Sequence, residues 1–120
     1  MKENANREKP CHVLHELLEV LARPWTLHIL CVLNEDGPVR FGVLRRKIDG
    51  ISSRVLTERL RSLEAKGFVF RHYKPTVPPA VTYGLTERVQ DLKQVMTDLE
   101  RLAKTWAEED VEEPADEISA

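Results

Sequence analysis

Apolar residues recur along this chain in two rhythms, one of 3.6 residues and one of two. Between residues 11 and 22, Val13, Leu14, Leu17, Leu18 and Leu21 fall at helical spacing and predict a first helix. Pro24 suits the opening turn of a second, residues 24–33, where its missing N–H is no loss. Trp25, Leu27, Ile29, Leu30, Cys31, Val32 and Leu33 surround that helix on nearly every side, the pattern of a buried element. The Asn-Glu-Asp-Gly-Pro run at 34–38 ends it. A third, short helix spans 40–48, with Phe41, Val43, Leu44 and Ile48 inward, and Asp49-Gly50 turns the chain. Ser52 is a good N-cap for a fourth helix that reaches residue 66, and Gly67 is its natural stop.

The rhythm then changes. Residues 69–73 alternate as a strand, the three prolines within 74–79 exclude a ladder there, and 80–85 return as a second strand. Thr86 is placed to cap a fifth helix that runs to residue 109. On it Val89, Leu92, Val95, Met96, Leu99, Leu102, Ala103 and Trp106 form a stripe about 140° wide. The expected fold class is therefore mainly α with a small β-hairpin. A chain of 120 residues makes one domain. Residues 1–9 are expected to be disordered, 10–109 to form the folded unit, and 110–120 to be an acidic disordered tail.

Charge sharpens this picture. The net charge of −2 conceals an uneven distribution: −2 over residues 1–39, +7 over 40–86 and −7 over 87–120. The ten Lys/Arg of segment 40–74 face only three Asp/Glu. A charge excess confined to two helices, a turn and a hairpin is the footprint of a nucleic-acid reader. At 100° per residue, Leu56, Leu60 and Leu63 share one face of the fourth helix, with Val55 at its border. The opposite face shows Arg54, Thr57, Glu58 and Arg61, with Ser52 and Ser53 near the N-terminal end. Arginine matches guanine O6/N7, and Ser or Thr can meet a base edge or a phosphate. Arg40, Arg45, Arg46 and Lys47 on the preceding helix, with Arg71, His72 and Lys74 on the hairpin, are candidates for phosphate contacts. Glu58 has two readings: acceptor from a cytosine N4, or ion-pair partner of Arg54 or Arg61.

Other chemistry is sparse. There is no Gly-rich phosphate loop and no G-x-S-x-G motif, so an enzyme is not expected. Cys11 and His15 stand four apart, but two ligands make no site, and neither metal nor cofactor is expected. Two cysteines make no disulfide framework. No 18-residue apolar run is present, so no membrane span is expected, and the charged N-terminus lacks the apolar core of a secretory signal. The cytoplasm is the expected compartment.

The residues quoted so far belong to a longer ordered pattern. Cys11, Trp25-Thr26-Leu27, Asp36-Gly37-Pro38 with Arg40-Phe41, and Leu44-Arg45-Arg46 are followed by Gly50-Ile51-Ser52, Leu56-Thr57, Arg59-Leu60 and Leu63-Glu64. Gly67-Phe68-Val69, Arg71, Val77-Pro78-Pro79, Val81, Tyr83 and Leu85-Thr86 complete it. Over residues 11–106 the chain resembles the HxlR-type winged helix-turn-helix transcriptional regulators. It departs from them at Cys11-His12, where Cys-Pro is frequent, and at Ala22-Arg23-Pro24-Trp25, where Gly-Gly-Lys-Trp is frequent. The resemblance implies a winged helix-turn-helix with an added C-terminal dimerisation helix. It further implies a homodimer on double-stranded DNA, with the fourth helix in the major groove, the hairpin along the flanking backbone and the first and last helices as the dimer interface. Repression is the expected sign, and an inverted repeat the expected operator.

Candidate dimer residues are Leu14, Leu18, Leu92, Val95, Met96, Leu99, Leu102 and Trp106. For Cys11, in a first helical turn with Lys9, His12 and His15 nearby, two readings stand: a redox or electrophile sensor, or a packed structural thiol. Some members of the resembled family sense oxidants or electrophiles through a cysteine at this position, so a small-molecule or oxidant effector is an expected class of partner. The alternative to a DNA reader is an interaction module that dimerises through its last helix and sets its basic face on an acidic protein.

Overall fold

The computed structural model describes residues 10–112, without the side chains of Pro10, Cys11 and Glu112. Its elements are α1 (Pro10–Leu21), α2 (Thr26–Asp36), β1 (Val39–Arg40), α3 (Phe41–Lys47), α4 (Ser53–Ala65), β2 (Val69–Lys74), β3 (Ala80–Leu85), a 3₁₀ turn (Glu87–Val89) and α5 (Gln90–Glu112). The three strands form one antiparallel sheet in the order β1-β3-β2. Val39 pairs with Tyr83 on one side of β3, and Arg71 pairs with Tyr83 on the other. Among the described residues no helix is long and apolar enough to cross a membrane.

The core joins α2, α3, α4 and the root of the sheet. Ile29, Leu30, Leu33, Leu44, Leu56, Leu60, Leu63 and Val69 are almost completely buried there. Burying one such side chain contributes about 1.5–3 kcal/mol, so the three leucines of α4 hold that helix by a single face. Its ends are closed as the sequence predicts. The Ser52 hydroxyl accepts from the Val55 N–H at 3.1 Å. At the other end Gly67, with φ of +80°, lets the Phe68 N–H reach the Leu63 carbonyl at 2.9 Å while its own N–H reaches Glu64. That is a Schellman closure, which favours glycine because an L side chain resists positive φ.

Six expectations change. Helix α2 starts at Thr26, not residue 24, because Trp25 adopts a left-handed backbone (φ 75°) that no helix contains. Nor is α2 buried all round: Leu27 and His28 are exposed, since neighbours cover only one side. Strand β1 was not expected; two residues cannot display an alternation, and only the pairing with β3 defines it. Arg40 lies in that strand as the N-cap of α3 rather than within the helix. Thr86 caps nothing through its side chain; its hydroxyl donates to the Gly67 carbonyl, tying the two ends of the hairpin together. At the C-terminal end α5 continues through residue 112, so 110–112 are helix rather than tail. The expected disordered segments at 1–9 and 113–120 lie outside the described residues.

Cys31 sits on α2 against the core, half-buried. Burial, then the carboxylates of Glu100 and Glu35, push its thiol pKa up. A raised pKa means little thiolate at neutral pH, with reactivity gained only as pH rises past the ordinary thiol range. In a Cys11→Ser protein, Cys31 is expected to alkylate with iodoacetamide more slowly than a free thiol at pH 8. A rate equal to that of free thiol would show that the site is open.

Candidate nucleic-acid interface

Helix α4 is two-sided by construction. With Leu56, Leu60 and Leu63 sunk in the core, the helical repeat turns Arg54, Glu58 and Arg61 outward. Ser52 and Ser53 are exposed at its N-terminal end. Thr57 is half-buried, and its hydroxyl donates to the Ser53 carbonyl at 2.8 Å, so its oxygen is already partly engaged. Glu58 resolves toward local pairing: it lies 3.7 Å from Arg54 and 4.0 Å from Arg59. Arg61, the other partner considered from sequence, is not among them. Both contacts are long and contribute little to stability, and the Arg54–Glu58 pair is exposed, so its two charges stay available.

The hairpin stands beside this helix. Its alternation divides the three basic residues grouped together from sequence. Val69 is buried toward α4, so Arg71 shares that face, whereas His72 lies on the other with Lys74. Arg71 and Tyr83 meet Thr57, Arg61 and Glu64 around a recess of about 340 Å³ between helix and hairpin. Tyr83, which packs on Phe41 at 6.5 Å, was not picked out as a site residue, because its place follows from the β3 register alone.

Beyond the N-terminal end of α4, exposed Arg45 and Arg46 join Asp49, Gly50, Ile51 and Ser52 around a second polar recess of about 370 Å³. Arg40 is exposed at the start of α3. Lys47 differs from its neighbours: its ammonium is 2.8 Å from the Asp36 carboxylate, which ties α3 to the end of α2 and offsets its charge. Arg59 also lies on the recognition-type helix yet points away from this face. Its Nε donates to the Pro24 carbonyl at 2.8 Å. Among the described residues no cluster of three His, Cys, Asp or Glu side chains is arranged to hold a metal ion.

Away from this face the apolar stripe of α5 splits lengthwise. Val89 and Met96 are buried in the protomer's own core and Leu92 packs against it, while Val95, Leu99, Leu102 and Trp106 are exposed. Met96, expected at a dimer interface, therefore has no surface left to offer a second chain, and Leu92 has little. On α1, Val13, Leu14, Leu17 and Leu18 are likewise exposed. Residues 99–111 are all exposed along the outer half of α5.

Known proteins share this arrangement. The family model described as HxlR-like helix-turn-helix matches residues 20–111. An uncharacterised HTH-type transcriptional regulator of Halalkalibacterium halodurans is 38% identical over 82 residues, covering 68% of this chain and 73% of its own. The crystal structure of a regulator assigned to the MarR family, from Enterococcus faecalis, superposes with a TM-score of 0.75 at 31% identity, covering 88% of this chain and 94% of that one. The reduced form of the redox regulator HypR superposes with a TM-score of 0.65 at 32% identity, covering 77% and 90%. The winged helix-turn-helix architecture, the capped two-sided helix and the matching family model lead to one conclusion: this chain belongs to the HxlR-like helix-turn-helix family of transcriptional regulators.

Proposed function

We propose that the protein is a homodimeric repressor that reads an inverted-repeat operator in double-stranded DNA. One observation carries the reading: α4 is anchored by a single leucine face and presents Arg54 and Arg61 outward beside Arg71 of the hairpin. In this reading α4 enters the major groove with Arg54, Thr57, Glu58 and Arg61 at base edges. Ser52, Ser53, Arg45 and Arg46 hold one flanking phosphate run, and Arg71, His72 and Lys74 the other. Arg40 and Lys47 add long-range attraction, Lys47 less because Asp36 offsets it.

Two such helices must sit about 34 Å apart to read successive major grooves. The exposed apolar faces of α1 and α5 supply the means: Leu14 and Leu18 on one, Val95, Leu99, Leu102 and Trp106 on the other. Monomeric proteins rarely leave so continuous an apolar surface in water. Helix α5, with 23 residues, is about 34 Å long, enough to align against a second copy.

The redox regulator among the similar structures supports a further element, thiol control through Cys11 in the first turn of α1. An oxidant or electrophile is then the effector class.

Three measurements test these statements. Fluorescence anisotropy at about 0.15 M salt should show selective binding to DNA upstream of the gene, or to a sequence selected from random DNA, over a scrambled duplex. Arg61→Ala should cost about 1–3 kcal/mol and relax specificity at one position, while Arg71→Ala should flatten the log–log salt slope by about one. No binding even at low salt would transfer the basic face to an acidic protein partner. Light scattering at micromolar concentration should give the mass of a dimer, and a monomer mass would remove the inverted-repeat argument. Diamide should change the DNA affinity of wild-type protein but not of Cys11→Ser; unchanged wild-type affinity after oxidation would dispose of the thiol switch.

A further inference from the structure

Arg59 is the one arginine of α4 that does not face outward. At 100° per residue it lies roughly 160° around the helix from both Thr57 and Arg61. Its side chain is only 14% exposed, against 88% for Arg54 on the same helix. The guanidinium spans two groups. Its Nε donates to the Pro24 carbonyl at 2.8 Å, and its Nη1 lies 4.0 Å from Glu58. The first is a short charge-assisted hydrogen bond, the second a contact at the limit of an ion pair.

The acceptor lies in an unusual turn. Between α1 and α2 the chain doubles back through Ala22–Trp25, and Trp25 takes a left-handed backbone without being glycine. Such a conformation persists only where surrounding contacts over-determine it. Two contacts meet that need. The Trp25 ring packs on the core and lies against Gly50, where an added Cβ would stand 3.5 Å from it. Arg59 holds the preceding carbonyl. The elbow therefore touches both the turn that leads into α4 and the flank of α4 itself.

From this geometry we infer that Arg59 is a positioning residue: it fixes the rotation of α4 about its axis by tying that helix to the α1–α2 elbow, without itself contacting DNA. The three leucines hold α4 against the core, but apolar contact is non-directional and leaves a small rotation soft. A hydrogen bond on the flank removes that freedom. This inference rests on the DNA-binding reading and adds to it a division of labour among the arginines of one helix.

The test compares Arg59→Gln with Arg59→Met. Glutamine places an N–H donor at the chain position of the arginine Nε and removes the charge, whereas methionine keeps the stem and removes the donor. Anisotropy is measured on the selected operator and a scrambled duplex across a salt series. Arg59→Gln should keep its selectivity. Arg59→Met should lose roughly tenfold in operator affinity, with binding to the scrambled duplex unchanged. Both variants should keep the wild-type salt slope, in contrast to Arg71→Ala. If both lose affinity for both duplexes and their slopes flatten by about one, Arg59 is a phosphate contact and the inference fails. It fails equally if Arg59→Met selects the operator as wild type does. Should Arg59→Met not fold, Arg59→Leu takes its place as the variant without a donor: lost operator selectivity at a wild-type slope supports the tie, and wild-type selectivity or a flattened slope overturns it. Wild-type protein that selects no DNA overturns the DNA-binding reading, an outcome visible before any variant is compared.

Discussion

Everything outward on this molecule depends on how α4 is held. Leu56, Leu60 and Leu63 are almost fully withdrawn from water among Leu30, Leu44 and Val69. Because the helical repeat is 3.6 residues, fixing three leucines on one side dictates that Arg54, Glu58 and Arg61 emerge on the other. The Ser52 cap and the Gly67 closure fix where the helix begins and ends, and so how far its N-terminal turns protrude. A nucleic-acid reader needs this combination of a rigid back and a polar front. Rotamer-rich arginines lose less freedom on binding when the backbone beneath them is already ordered.

The hairpin is positioned by a different kind of constraint. Strand β1 contributes only two residues, yet they pair with β3 on the edge opposite β2 and bind the hairpin to the helical unit. At the other end the Thr86 hydroxyl donates to the Gly67 carbonyl and its N–H to the Phe68 carbonyl, closing the base of the hairpin onto the end of α4. Phe70 lies across Gly84, where any Cβ would collide with its ring. The hairpin therefore holds a defined angle to α4, and Arg71 comes beside Arg61 as a result.

The outer helices obey neither constraint. Helix α5 divides its apolar stripe, giving Val89 and Met96 to its own core and leaving Val95, Leu99, Leu102 and Trp106 in water. A hydrophobic face that long has a large free-energy incentive to find a partner, and the proposed dimer follows from that incentive as much as from the spacing of DNA grooves.

Local chemistry was enough to read much of this protein from its residues. The leucine repeat of α4, its serine cap, its glycine stop and the prolines between β2 and β3 each act within one or two turns of chain, so they are visible in order along it. The segregation of charge is likewise a one-dimensional property. What needed the tertiary structure were relations between distant segments. Strand β1 exists through residues more than forty positions away. Arg59 reads as one more basic residue on a basic helix until its hydrogen bond to Pro24 is seen. The division of the α5 stripe and the pairing of Lys47 with Asp36 are of the same kind. Periodicity tells which side of an element is apolar; only packing decides what that side, or a charge beside it, meets.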